Sequence, residues 1–305
     1  MSSILETINS IPATILSEKF KARIENIILI VAIVSFLLHL TLIYFVDLGV
    51  IVLSSPSNLL SHPISAIYTP FSFILIYEVY LLIYHLPKST TIYIGKQYEI
   101  VTLIIIRKVF KDLSNLIITK DWFKVQSDIQ LTYDLLATLV LFLFIFFYYR
   151  LSKREIINLQ EKDKLNSEPP MGIKRFIKQK QIIAACLVPI LLGLSIFSLG
   201  NWLYDTFFTH NLTASLIKDI DKIFFEDFFL LLILVDVLLL LFSLRHTDEF
   251  YKIMRNSGFV ISTILIKLSF GVEGVISTIL LVAAVAFGLA ILAIHNQFEK
   301  IKSVV

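Results

Sequence analysis

Residues 224–244 read FFEDFFLLLILVDVLLLLFSL, and from Phe228 onward this apolar run is interrupted by one acid, Asp236. A helix of about 20 such residues rises about 30 Å, the thickness of a bilayer's hydrocarbon core, and satisfies its own backbone hydrogen bonds there. The stretch therefore reads as a membrane span, with Asp236 placed where charge is costly.

Working outward, the pattern recurs. Residues 27–46, 66–86, 131–149, 182–202 and 275–294 are comparably long and apolar. Residues 92–110 and 251–270 are broken by charges, yet the links to their neighbours are too short for a soluble domain, so they read as the third and seventh of eight helices. The chain is 57% hydrophobic and 17% charged with mean hydropathy +0.82, more apolar surface than one soluble core can bury. The expected fold class is all-α, a polytopic transmembrane helical bundle.

The two halves echo one another. Glu78-Val79-Tyr80-Leu81-Leu82-Ile83-Tyr84 aligns with Asp236-Val237-Leu238-Leu239-Leu240-Leu241-Phe242, and 100–107 aligns with 260–267. Four helices per unit is an even number, so the expectation is two parallel four-helix repeats related by an axis along the membrane normal. The segments are then 1–25, a cytoplasmic N-terminal stretch; 26–150, the first repeat; 151–180, a basic linker; 181–297, the second repeat; and 298–305, a short tail. Within the first stretch, Leu5, Ile8, Ile11, Ile15, Leu16 and Phe20 fall at near-helical spacing despite Pro12, the pattern of an interfacial helix.

Orientation follows from charge. Arg150, Lys153, Arg154, Lys162, Lys164, Lys174, Arg175, Lys178 and Lys180 crowd the central loop, and positive loops stay cytoplasmic. Eight spans put both termini on that side, where Lys19, Lys21, Arg23, Lys300 and Lys302 agree with it. The first 25 residues lack a short apolar region with a small-residue cleavage site, which predicts an uncleaved N-terminus in the cell or inner membrane. One loop fits less well: Lys108, Lys111, Lys120 and Lys124 fall on the outer side.

The candidate functional residues are charges inside the spans. Glu78 with Arg107, and Asp236 with Lys267, lie on neighbouring helices roughly 12 to 16 Å inside the cytoplasmic boundary. An unpaired charge at such depth costs at least about 2.5 kcal/mol, so each pair should face the bundle interior. Lys96, Thr102, Arg255 and Thr263 are supporting polar groups, the hydroxyls reading first as bonds to their own helix. The pairs serve either as ionic staples between helices or as carboxylates that exchange a proton.

At these positions the chain resembles the PsiE (phosphate-starvation-inducible) family of four-helix bacterial membrane proteins. Tyr77-Glu78 and Arg107 match its aromatic-flanked acid and helix-ending arginine in the first half; Asp236, Arg255, Thr263 and Lys267 follow its spacing in the second, with Asp in place of Glu and Lys in place of Arg. The resemblance covers about 35 residues in each half. It implies a membrane protein of the phosphate-limitation or stress response, here in tandem form.

Other chemistries find little support. No P-loop, dinucleotide glycine pattern, HExxH or GxSxG is present, and the chain has only 9 glycines, which points away from an enzyme. Cys186 stands alone, so an intramolecular disulfide is excluded. The histidines form no i,i+3 or i,i+4 pair; convergence of His39, His85 and His295 on a haem is the redox alternative, while the main reading needs no cofactor and no metal. No charge block suggests nucleic acid. The expectation is a membrane protein that conducts or senses an ion, its partners the lipid bilayer and either a second copy or another membrane protein; the rival is a non-conducting scaffold or regulatory subunit.

Overall fold

The computed structural model describes residues 14–50, 63–87, 89–114, 126–164, 171–208, 220–244 and 249–302. They form eight α-helices: α1 (Glu18–Asp47), α2 (Tyr68–His85), α3 (Thr90–Ser114), α4 (Gln126–Lys164), α5 (Met171–Phe208), α6 (Ile220–Leu244), α7 (Phe250–Phe270) and α8 (Val275–Lys302). A single 3-10 turn, Pro63–Ile67, leads into α2, and no strand occurs among the described residues. The bundle is all-α, and both charge-broken stretches, α3 and α7, are helical.

Among the described residues, five segments are long and apolar enough to cross a membrane: Glu18–Asp47, Pro63–His85, Asp128–Lys153, Phe250–Phe270 and Val275–Ile301, with Phe228–Leu244 a shorter apolar helix. Their surfaces fit that role. In α1 only 11% of the most apolar window is buried, and Ile30 and Leu38 are 61% and 60% exposed. In water such a face would be a large apolar patch; against lipid tails it is the natural exterior. This is the build of a membrane protein.

The central basic stretch departs from the expected loop. Helix α4 continues through Lys164 and α5 begins at Met171, so most of 151–180 is helical extension. Charged residues such as Lys and Glu are good helix formers, and a polar helix projecting beyond a span needs only water around it.

Helix α1 begins at Ser17, whose Oγ accepts from the Phe20 amide at 3.2 Å, with Glu18 in the first turn where the helix dipole favours an acid. The expected interfacial helix lies largely outside the described residues; its last part, Ile15, Leu16 and Phe20, packs on Tyr80 and Tyr84. Tyr77, Tyr80 and Tyr84 form one stripe of α2 at i, i+3 and i+7. Their hydroxyls donate to Glu25 Oε2 at 3.0 Å, to the Ile15 carbonyl at 2.8 Å and to Glu18. Three phenols thus fix α1 to α2 with their rings in the apolar layer.

Helices α4 and α8 run side by side in parallel. Gln130 meets Thr278 near their beginnings at 3.3 Å, and Asn296 Nδ2, in the last two turns of α8, donates to the Leu151 carbonyl of α4 at 2.9 Å. Helix α3 crosses α7 at the pairs Gln97–Thr263 and Tyr98–Ser262. Two glycines allow the tightest approaches, as small residues do between membrane helices. A Cβ at Gly288 of α8 would stand 1.6 Å from the Tyr98 hydroxyl, and one at Gly258 of α7 would stand 2.8 Å from Ile291.

Candidate functional site

Where the middle of α3 meets α6 and α7, the sequence brings three polar side chains into an otherwise apolar core. Asp236, buried on α6, accepts from Gln97 Nε2 at 3.2 Å, and its Oδ2 lies 3.2 Å from Thr263 Oγ1. Thr263 Oγ1 also lies 2.8 Å from Gln97 Oε1, so amide, hydroxyl and carboxylate form a closed triangle. The Tyr93 hydroxyl, one turn before Gln97, faces the same carboxylate, and Lys180 of α5 is a cation that acts on it. Neutral donors at hydrogen-bond distance can serve Asp236 whether or not it carries a proton.

Of the triangle, Asp236 lines a cavity of about 170 Å³ built from α2, α3, α5, α6 and α7. Its polar lining is Thr90, Lys180, Ser243, Lys252, Arg255 and Asn256, and apolar Leu86, Leu239 and Phe259 complete the walls. Asn256 Nδ2 donates to Ser243 Oγ at 3.0 Å, Lys252 pairs with Glu249 at 2.5 Å, and Arg255 meets Asn256 Oδ1 and His295 Nε2, each at 3.3 Å. The cavity lies at the ends of α2 and α6 and the starts of α3 and α7, the end of the bundle that also carries the basic extensions of α4 and α5.

The structure distributes the sequence-derived residues over several settings. Asp236 and Arg255 share the cavity and Thr263 adjoins Asp236, but Lys267 sits in the last turn of α7, a full turn beyond Thr263, and is not among the partners of Asp236. Glu78, half-buried on α2, faces Glu99, Lys96 and Glu25. Lys96 pairs with Glu99 at 2.6 Å, and Glu99 also accepts from the Tyr149 hydroxyl. Arg107 is buried further along α3, nearly three turns past Lys96, on the far side of Glu78's charged neighbours. Thr102 donates to the Tyr98 carbonyl at 2.9 Å, a bond within its own helix.

A second buried carboxylate is absent from the sequence reading. Asp134 of α4 is fully buried, receives Gln130 Nε2 at 3.0 Å on each oxygen, accepts from Thr278 of α8 and pairs with Lys108 of α3 at 3.0 Å. Its position early in the span 131–149 was the signal available, an acid inside an apolar run. Gln97 and Lys180 left weaker traces, because an uncharged amide attracts no notice and a lysine in a basic linker is accounted for by orientation alone.

His39 and His85 do not converge. His39 bonds Thr69 at the start of α2, whereas His85 closes that helix, roughly 25 Å away along its axis. His295 lies with Tyr251 and Arg255, and no group of three His, Cys, Asp or Glu suited to a metal occurs among the described residues.

Comparison of the chain with protein-family models, with curated proteins and with solved structures returns no match.

Proposed function

We propose that this membrane protein moves or senses an ion, the proton foremost, through Asp236. One observation carries the reading: a buried carboxylate at the floor of a cavity, held by the neutral donors Gln97 and Thr263. A carboxylate locked to a cation at contact distance resists protonation; one held by an amide and a hydroxyl can gain and lose a proton without leaving a bare charge behind. Further along α3, roughly 16 Å from Gln97, Lys108 and Asp134 form a second charged cluster facing the other end of the bundle. Between the two lie the Tyr98–Ser262 hydroxyl pair and Thr102. Polar groups at such depth line pathways in membrane proteins more often than they face lipid.

Glu78 is the second carboxylate of the proposal, in its cluster with Lys96 and Glu99. The PsiE-like reading, with a place in a phosphate-limitation or stress response, rests on the sequence positions around Glu78 and Asp236. An inner-membrane location with both termini cytoplasmic rests on the basic residues in the last part of α4 and the first part of α5.

The test is flux in liposomes that hold the purified chain and an internal pH dye. Under a pH gradient and a voltage, the native protein should acidify the lumen faster than empty vesicles, and Asp236→Asn should abolish the difference while retaining its melting temperature within a few degrees. No flux above empty vesicles under either gradient would transfer the function to the rival reading, a non-conducting scaffold.

A further inference from the structure

We infer that the cavity above Asp236 binds a phosphate-type oxyanion, either free or as the headgroup of an anionic phospholipid. This goes beyond ion movement through Asp236 and does not depend on it. The wall is supplied by five helices, and three of its side chains are cations from two of them: Lys180 of α5, and Lys252 and Arg255 of α7. The carboxylates in reach are Asp236 at the floor and Glu249 beside Lys252, so cations outnumber acids three to two. The helix dipoles do not change that balance, because the ends of α2 and α6 meet the starts of α3 and α7 there and their partial charges offset. Charged side chains therefore set the sign of the site.

The donor chemistry is that of oxyanion recognition. Arg255 adds a permanently charged guanidinium, held with Nε and Nη2 on Asn256 Oδ1 and Nη1 against His295 Nε2, the lysines act as point charges, and Asn256, Ser243 and Thr90 add neutral polar groups. Lys180, only 4% exposed, lines the cavity wall beside Asp236. At about 170 Å³ the cavity is larger than one water needs and smaller than pockets for drug-sized ligands, which suits a single phosphate group. Its place among helix ends puts it where headgroups lie if the apolar spans occupy the hydrocarbon layer.

The full chain, delipidated in a neutral detergent, would be titrated at constant ionic strength with inorganic phosphate, and separately with phosphatidic acid against phosphatidylcholine, with binding read by native mass spectrometry. Saturable binding of phosphate assigns the free ion; saturable binding of phosphatidic acid alone assigns the lipid headgroup. In either case Lys180→Gln/Arg255→Gln should weaken the apparent Kd at least tenfold, whereas Lys153→Gln/Lys178→Gln, two exposed lysines at the same end, should leave it within twofold. If the first double variant fails to fold, Lys252→Gln decides, with at least a threefold weakening expected at a side chain 43% exposed. Binding of neither probe above its control, or equal loss in the Lys153/Lys178 variant, overturns the site.

Discussion

The Tyr98 hydroxyl lies 2.9 Å from Ser262 Oγ, and Ser262 spends its own proton on the Ala284 carbonyl at 2.8 Å. A serine hydroxyl has one hydrogen, so the Tyr98 phenol is the donor, and one unbroken chain runs from α3 through α7 to α8. Gly288 leaves the space into which that phenol reaches.

The close approach makes Gly288→Ala an overpacking variant. Inserting a methyl into a filled membrane core should cost about 1 to 3 kcal/mol, seen as a lower melting temperature in detergent. Gly193→Ala, where a Cβ meets nothing within 4 Å, should melt within a degree or two of the native chain. Tyr98→Phe removes the atom nearest the new methyl, so the double variant Tyr98→Phe/Gly288→Ala should be more stable than the sum of the two single changes. Strict additivity would contradict the contact.

At Asp134 the prediction is an asymmetry. Lys108 is 38% exposed and Asp134 fully buried, so Lys108→Gln leaves the acid with Gln130 and Thr278 and should cost about 1 kcal/mol or less. Asp134→Ala takes the acceptor from the buried Thr278 hydroxyl and leaves the Gln130 amide only Thr278, and should cost about 2 to 4 kcal/mol. Chemical denaturation of the two variants side by side checks the order. Equal losses would mean that the ion pair, rather than the buried network, holds α3, α4 and α8 together.

The triangle of Asp236, Gln97 and Thr263 predicts coupling between α3 and α6. Gln97→Leu removes a donor from Asp236 and a bond to Thr263, leaving a buried carboxylate short of partners, and should cost about 1 to 3 kcal/mol. Replacing both partners, Gln97→Leu/Asp236→Leu, removes the unsatisfied acid as well and should recover at least part of that loss. A double-mutant cycle by thermal melt measures this; a coupling energy near zero would separate the two side chains.

Much of the fold was legible because lipid imposes a simple rule: a run of about 20 apolar residues must be a helix. That rule found α1, α2, α4, α5, α6 and α8, and short links supplied α3 and α7. Which residues meet across the bundle was less legible. Apolar periodicity is weak when the exterior is as apolar as the core, so nothing in the sequence marks the face of α3 that places Gln97 toward Asp236. Depth alone suggested Arg107 for Glu78 and Lys267 for Asp236, but helix rotation decides partners. It turns Lys96 and Glu99 toward Glu78, and Gln97 and Thr263 toward Asp236.

The tyrosine stripe yields the last prediction. Tyr77 and Tyr84 donate to the N-terminal part of α1 and Tyr80 to Ile15, three residues before it, and the rest of α1 has little of its apolar surface buried in the bundle. Removing the hydroxyls while keeping the rings, as in Tyr80→Phe/Tyr84→Phe, leaves the apolar packing of Phe20, Ile15 and Leu16 but deletes two cross-links worth about 1 kcal/mol each. Hydrogen exchange should then quicken at residues 15–25 by roughly tenfold or more while α4 and α8 keep their protection, since local opening reports only the contacts that hold that segment. Exchange that quickens in every helix alike would show the stripe to be part of the global core; exchange that does not change at all would show that ring packing alone seats α1.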